Sequence, residues 1–81
     1  MVILVTGCAG FIGSNIVETL ILREYTVVGL DNFDTGYHQN IAPFLSHPNF
    51  TFYEGDIRDL ELLKIIFEKE KVTHVCHQAA R

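Results

Sequence analysis

The amino-acid sequence predicts an α/β fold, a doubly wound parallel sheet of strand order 3-2-1-4 with helices on both faces. Three observations predict it. Short apolar runs alternate with segments of helical periodicity, a glycine-rich turn spans 7–13 between the first run and the first helix, and an acid, Asp31, closes the second run. Such alternation specifies parallel strands joined by crossover helices, and right-handed crossovers send the first helix to one face and the last helix to the other. Ligands of these sheets bind above the carboxyl ends of the strands where the strand order reverses, here between the first and fourth.

Taken in order, residues 2–5 (VILV) are a continuous apolar run, the mark of a strand buried on both faces. Behind the glycines, Ile12, Ile16, Val17, Leu20 and Ile21 recur at helical spacing and predict a helix over 11–24. Residues 25–31 (YTVVGLD) are rich in β-branched side chains and read as a second strand. The stretch 32–49 holds both prolines, Gly36 and several Asn and Asp residues, so it reads as loop with a helical turn or two over 39–45. Residues 50–54 (FTFYE) have strand propensity and stop at Gly55. Asp59 is placed to cap a helix carrying Leu60, Leu63 and Phe67 on one stripe, with Glu61 in its first turn and Lys69 in its last. A fourth strand over 72–77 follows.

The turn between the first strand and the first helix carries the chemistry. Gly7 can take the sharp exit from the strand, having no Cβ to clash. Gly10 allows the backbone to approach a phosphate closely, and Gly13 allows the helix to pack hard on the strand behind it. The helix then offers backbone N–H groups, from Phe11 and Ile12, and the positive end of its dipole to a pyrophosphate. Asp31 ends the second strand where a dinucleotide fold needs an acid to accept hydrogen bonds from the adenosine ribose. Together they predict a Rossmann-type dinucleotide site.

The residues VTGCAGFIGS at 5–14 resemble the opening of the extended short-chain dehydrogenase/reductases, the NAD-dependent nucleotide-sugar epimerases and dehydratases. LDNF at 30–33, GDIRD at 55–59 and HQAA at 77–80 agree with that family in order and spacing. The resemblance covers the whole chain and is greatest to UDP-hexose 4-epimerases; UDP-glucuronate epimerases and decarboxylases share nearly the same opening. It implies NAD as cofactor. By that resemblance Gly7, Gly10, Phe11, Ile12 and Gly13 match the pyrophosphate loop, and Asp31 and Asn32 the ribose contacts. Thr35 and Gly36 lie where the family's loop closes over the adenosine. Asp56 and Ile57 match the adenine site, and Ala79 and Ala80 the loop passing the ribose and nicotinamide. Cys8 stands where the family more often has glycine, a position that needs smallness more than a positive φ.

The resemblance also implies a nucleotide sugar as partner, a homodimer at full length, and hydride transfer from the sugar to the nicotinamide and back. No catalytic residue is expected in this chain. The family's tyrosine sits four residues before a lysine, and the positions four after Tyr25, Tyr37 and Tyr53 hold Gly29, Ile41 and Ile57. The chain is therefore expected to be the N-terminal part, 1–81, of a truncated NAD-binding domain, without activity alone. The alternatives are a non-catalytic dinucleotide-binding or interaction module, or a UDP-glucuronate epimerase or decarboxylase or sugar dehydratase of the same family.

Composition bounds the rest. A chain of 81 residues is one small domain or a piece of one, and at that size only roughly 60% of the unfolded surface is buried. Net charge is −4, with six Lys and Arg spread along the chain rather than striped, which argues against a nucleic-acid partner. The two cysteines, Cys8 and Cys76, suggest neither a disulfide framework nor a zinc site. His74, Cys76 and His77 alternate across a strand and cannot converge on one ion, so no metal is expected. No basic leader precedes the apolar start and no apolar run is long enough to span a membrane, so a cytoplasmic protein is expected. Arg58, beside Asp56 and Asp59, reads as a local ion pair.

Overall fold

Val2–Thr6 forms β1, buried along nearly its whole length, in a computed structural model that describes residues 1–78. It runs one residue past the apolar stretch because Thr6 still pairs on both sides, with Leu30 and with His77. Helix α1 (Phe11–Leu22) follows the glycines, then β2 (Thr26–Asp31). The helix stops two residues short of the predicted end, where Glu24 turns to φ 67° and its N–H closes on the Ile21 carbonyl. A short α2 (His38–Ile41) and a 3-10 turn (Ala42–Phe44) occupy the predicted helical turns, and β3 (Phe50–Glu54) has the predicted bounds. Helix α3 (Leu60–Glu70) leads to β4 (His74–His77), two residues shorter than expected. Lys71 caps α3 at φ 58°, and Thr73 anchors to Val2 before the ladder begins.

All pairs are parallel and the order is β3-β2-β1-β4, as predicted. The pleat sorts side chains to two faces. Ile3, Val5, Val27 and Phe50 meet Val17 and Ile21 of α1 on one side, while Leu4, Val28 and Leu30 meet Ile66 of α3 on the other. The two helices thus cover opposite faces, the arrangement that right-handed crossovers dictate.

The stripe of α3 differs from the predicted one. Leu62, Leu63 and Ile66 face the sheet, whereas Leu60 and Phe67 are 77% and 41% exposed. The cause lies one element earlier: Gly55 leaves the space that Leu62 fills, since a Cβ on Gly55 would stand 2.2 Å from Leu62 Cδ2. That contact sets the rotation of the helix. Asp59 caps α3 as expected, its Oδ1 accepting the Leu62 N–H at 3.1 Å.

Candidate functional site

The turn leaving β1 is built by three glycines with three different jobs. Gly7 sits at φ 72°, a conformation that side chains disfavour, and its N–H donates to the Leu30 carbonyl at 2.8 Å. Gly13 is required sterically: a Cβ there would lie 2.1 Å from the Gly7 carbonyl oxygen. Gly10 meets only an ordinary contact, 3.4 Å to the same oxygen, so its lack of a side chain leaves open space rather than relieving a clash. It is the N-cap of α1 and supplies no side-chain acceptor, and the helix has no acidic residue in its first turn. The first turn of α1 thus carries neither a side-chain cap nor an acid of its own, in contrast with α3, whose N-terminus carries both Asp59 and Glu61.

Asp31 lies at the end of β2, 9% exposed. Its carboxylate is held by two backbone donors, Ala9 N–H to Oδ2 at 2.9 Å and Phe33 N–H to Oδ1 at 2.7 Å. The acid thus organises the glycine-rich turn on one side and the loop after β2 on the other. Phe33 takes a positive φ of 60° to make its bond, and its ring stacks on His38 at 4.1 Å. Behind the turn, Gly36 packs against Ala9, where a Cβ would come within 2.8 Å of the Ala9 carbonyl carbon. The Ala9 carbonyl accepts from Tyr37 N–H and Asn40 Nδ2, locking the loop to the turn.

Cys8 is fully buried above Gly29, whose missing Cβ would stand 2.7 Å from the sulfur. Burial first, and the Asp31 charge second, push its thiol up to about 12. It is an inert packing group.

Past β3, Asp56 and Arg58 form a forked ion pair. Arg58 Nε reaches Oδ1 at 3.0 Å and Nη2 reaches Oδ2 at 2.8 Å, while the Arg58 N–H donates to Oδ1 at 2.8 Å. Asn32 Nδ2, from the segment after the neighbouring strand β2, reaches Oδ2 at 3.3 Å. The bonds from Arg58 hold the Asp56 carboxyl well below the usual carboxylate range, and Asp56 in turn raises the guanidinium. Asn32 Oδ1 accepts the Asp34 N–H at 2.9 Å. At the fourth strand, Thr6 Oγ1 and His77 Nδ1 are hydrogen-bonded at 2.7 Å, and Gln78 N–H reaches the same hydroxyl at 3.1 Å.

A cleft of about 500 Å³ lies over the carboxyl ends of the strands, and Gly7, Gly10, Asp31, Asn32, Thr35, Asp56 and Ile57 line it. Of the other sequence-predicted residues, Gly13 and Gly36 lie behind the wall as packing positions, and Phe11 and Ile12 stand on the first turn of α1 with exposed side chains. Ala79 and Ala80 lie outside the described residues. Leu30, Asp34, Gly55 and Gln78, which no local sequence motif marks as ligand contacts, line the cleft too, as does Arg58, whose sequence neighbours mark it only as an ion pair. The signal for them was topological, because each sits at or just past the carboxyl end of a strand. Among the described residues no group of three His, Cys, Asp or Glu could hold a metal ion, and no helix is long and apolar enough to cross a membrane.

Fold, strand order and turn define a Rossmann-type α/β domain. The sequence profile described as GDP-mannose 4,6 dehydratase matches residues 4–81, and the chain belongs to that family. A putative UDP-glucose 4-epimerase of Methanocaldococcus jannaschii is 50% identical over 80 residues, covering 98% of this chain and 24% of the relative. UDP-glucuronate 4-epimerase 2 of Arabidopsis thaliana is 43% identical over 83 residues, 98% of this chain and 19% of the relative. Among solved structures, dTDP-glucose 4,6-dehydratase of Bacillus anthracis in complex with NAD superposes with a TM-score of 0.96 at 36% identity, covering all of this chain and 27% of that one. The chain thus spans between a fifth and about a quarter of the length of these relatives.

Proposed function

We propose that this chain is the N-terminal part of the NAD-binding domain of a nucleotide-sugar epimerase, with a UDP-hexose 4-epimerase as the favoured activity. The observation that carries the reading is the uncapped N-terminus of α1, opening on one cleft with the fixed carboxylate of Asp31. The residues fit the cofactor in kind: open space over Gly10, a helix N-terminus without a side-chain cap for a pyrophosphate, and a carboxylate with lone pairs left for ribose hydroxyls.

In this reading Gly7, Gly10, Phe11, Ile12 and Gly13 form and frame the pyrophosphate turn, and Asp31 and Asn32 hold the adenosine ribose. Thr35 and Gly36 shape the loop beside it, Asp56 accepts the adenine amino group, and Ile57 lies on the ring. Ala79 and Ala80 would pass the nicotinamide side. When bound, NAD would supply a reversible hydride acceptor for the sugar. This chain's part is to bind, orient and exclude water. In the intact protein the partner would be a nucleotide sugar, with a homodimer in the cytoplasm as the working form.

The dehydratase branch is the second reading, favoured by the family description and by the 0.96 superposition. The test is to quantify NAD released from the purified intact protein, then supply UDP-glucose, UDP-glucuronate and dTDP-glucose separately. Conversion of UDP-glucose to its 4-epimer with stoichiometric NAD is the expected result. A 4-keto-6-deoxy product from dTDP-glucose would move the protein to the dehydratase branch. Dinucleotide binding with no turnover of any of the three would favour a non-catalytic module.

A further inference from the structure

The Asp56 carboxylate is saturated with donors in a particular way. Three come from Arg58, which is held in one geometry by its own backbone N–H and by a two-point fork. The fourth, Asn32 Nδ2, is the longest at 3.3 Å and comes from the segment after the neighbouring strand β2. A fork of this type fixes the plane of a carboxylate as well as its charge, which a single contact does not. The Arg58 side chain is 85% exposed, with Asp56 as its ion-pair partner, so it adds little to the core. Its geometry is spent on Asp56.

We infer that Arg58 is a positioning residue that makes Asp56 select an amino-bearing purine. The inference rests on the placement of adenine at Asp56 proposed above. The purine amino group takes the place of the Asn32 amide on Oδ2, the weakest of the four donors, while the Arg58 fork keeps that oxygen in position to accept it. A 6-oxo purine presents a carbonyl oxygen there, acceptor against acceptor, and leaves the carboxylate without its bond. With Arg58 gone the carboxylate is free to swing toward water, and the distinction weakens.

The experiment measures binding of NAD and of its hypoxanthine analogue to the intact protein by calorimetry, for the unmodified chain and for Arg58→Met, Arg58→Gln and Arg58→Lys. The unmodified protein is expected to prefer the adenine form by roughly ten- to a hundred-fold, the range of one charge-assisted hydrogen bond. Met and Gln should narrow the preference to about threefold by weakening NAD and leaving the analogue unmoved, with Lys restoring part of it. A merely structural role for Arg58 would weaken both ligands alike, and that result overturns the inference. So does an unchanged preference in Met and Gln, which leaves the adenine placement standing. Equal binding of the two dinucleotides by the unmodified protein overturns the placement itself. Thermal unfolding of each variant establishes that it is folded, and Gln stands in if Met is not.

Discussion

The carboxylate of Asp31 reaches back beneath the glycine-rich turn and accepts the Ala9 N–H at 2.9 Å, joining residues that lie 22 positions apart. Its other oxygen holds Phe33 N–H. The acid at the end of β2, proposed to meet a ribose, is therefore also a structural element of the glycine-rich turn. Asp31→Ala should destabilise the protein by about 1–3 kcal/mol, because it strands a buried N–H that the acid satisfied. Asp31→Asn should also destabilise, since an amide nitrogen would face one of the two donors. Urea unfolding of both variants checks this. A midpoint unchanged from the parent would mean that the turn holds its shape without the acid.

Much of this architecture could be read from the chain before any coordinates. The apolar run at 2–5, the strand-prone stretches at 25–31 and 50–54, the turn at 7–13 and the acid at 31 suffice for element order and strand order. The capped start of α3 was legible in Asp59 alone. What escaped were relationships across the sheet. Gly29 makes room for Cys8 and for Phe50, and Gly36 for Ala9, and nothing local in the sequence marks either pairing. The stripe of α3 was misjudged because Gly55 selects Leu62, a choice made by packing rather than periodicity. The second duty of Asp31 was hidden for the same reason.

The glycines of the turn should separate cleanly under substitution. At Gly13 an added Cβ would meet the Gly7 carbonyl at 2.1 Å, backbone against backbone, with no flexible side chain to yield. Gly13→Ala should cost ~3 kcal/mol or more and abolish folding in a marginal domain. Gly10→Ala should cost under about 1 kcal/mol, the scale of an N-cap change, while lowering dinucleotide affinity at least about tenfold. Circular dichroism melts paired with cofactor titration distinguish the two. A folded Gly13→Ala protein of parental stability would contradict the steric argument.

The buried thiol predicts an alkaline limit. Cys8 retains its proton to about 12 in the folded state, whereas an unperturbed thiol releases it near 9.0. Tyr53, bonded to Glu70, is raised from 10.0 to about 12 in the same sense. Above pH 9 the unfolded chain therefore binds fewer protons than the folded one, and stability falls as pH rises from 9 toward 12. Urea midpoints measured at intervals upward from pH 8 should decline, and less steeply in Cys8→Ala. In the folded protein iodoacetamide should modify Cys76, which is only half-buried, before Cys8. Faster labelling of Cys8 would show that the turn opens.

At the sheet's other end, β4 pairs with β1 alone among the described residues, and Val75 is 53% exposed beside its open edge. Unpaired N–H and C=O groups next to apolar side chains invite another strand. Residues 1–81 prepared alone are expected to self-associate, and Val75→Lys should suppress it. Light scattering across a concentration series decides. A parent chain that stays monomeric at the highest concentration would contradict it.

Cofactor choice should also follow from Asp31. With both oxygens fixed by backbone donors, Asp31 has a lone pair on each left for a ribose hydroxyl, and such charge-assisted bonds are worth ~1.5–3 kcal/mol apiece. A 2′-phosphate removes one hydroxyl and sets negative charge against the carboxylate. Two unit charges about 4 Å apart at an effective dielectric near 20 repel by ~4 kcal/mol before salt screens them or the phosphate moves away. The donors from Ala9 and Phe33 soften that repulsion without cancelling it. The cation among the residues lining the cleft is Arg58, and its fork is committed to Asp56. After relaxation ~1.4–3 kcal/mol should survive, a preference for NAD over NADP of roughly ten- to a hundred-fold. Asp31→Ala should weaken NAD and narrow that gap, and titration of both cofactors into the intact protein measures it. Equal affinity in the unmodified protein would mean that the phosphate finds a partner other than those that line the cleft here.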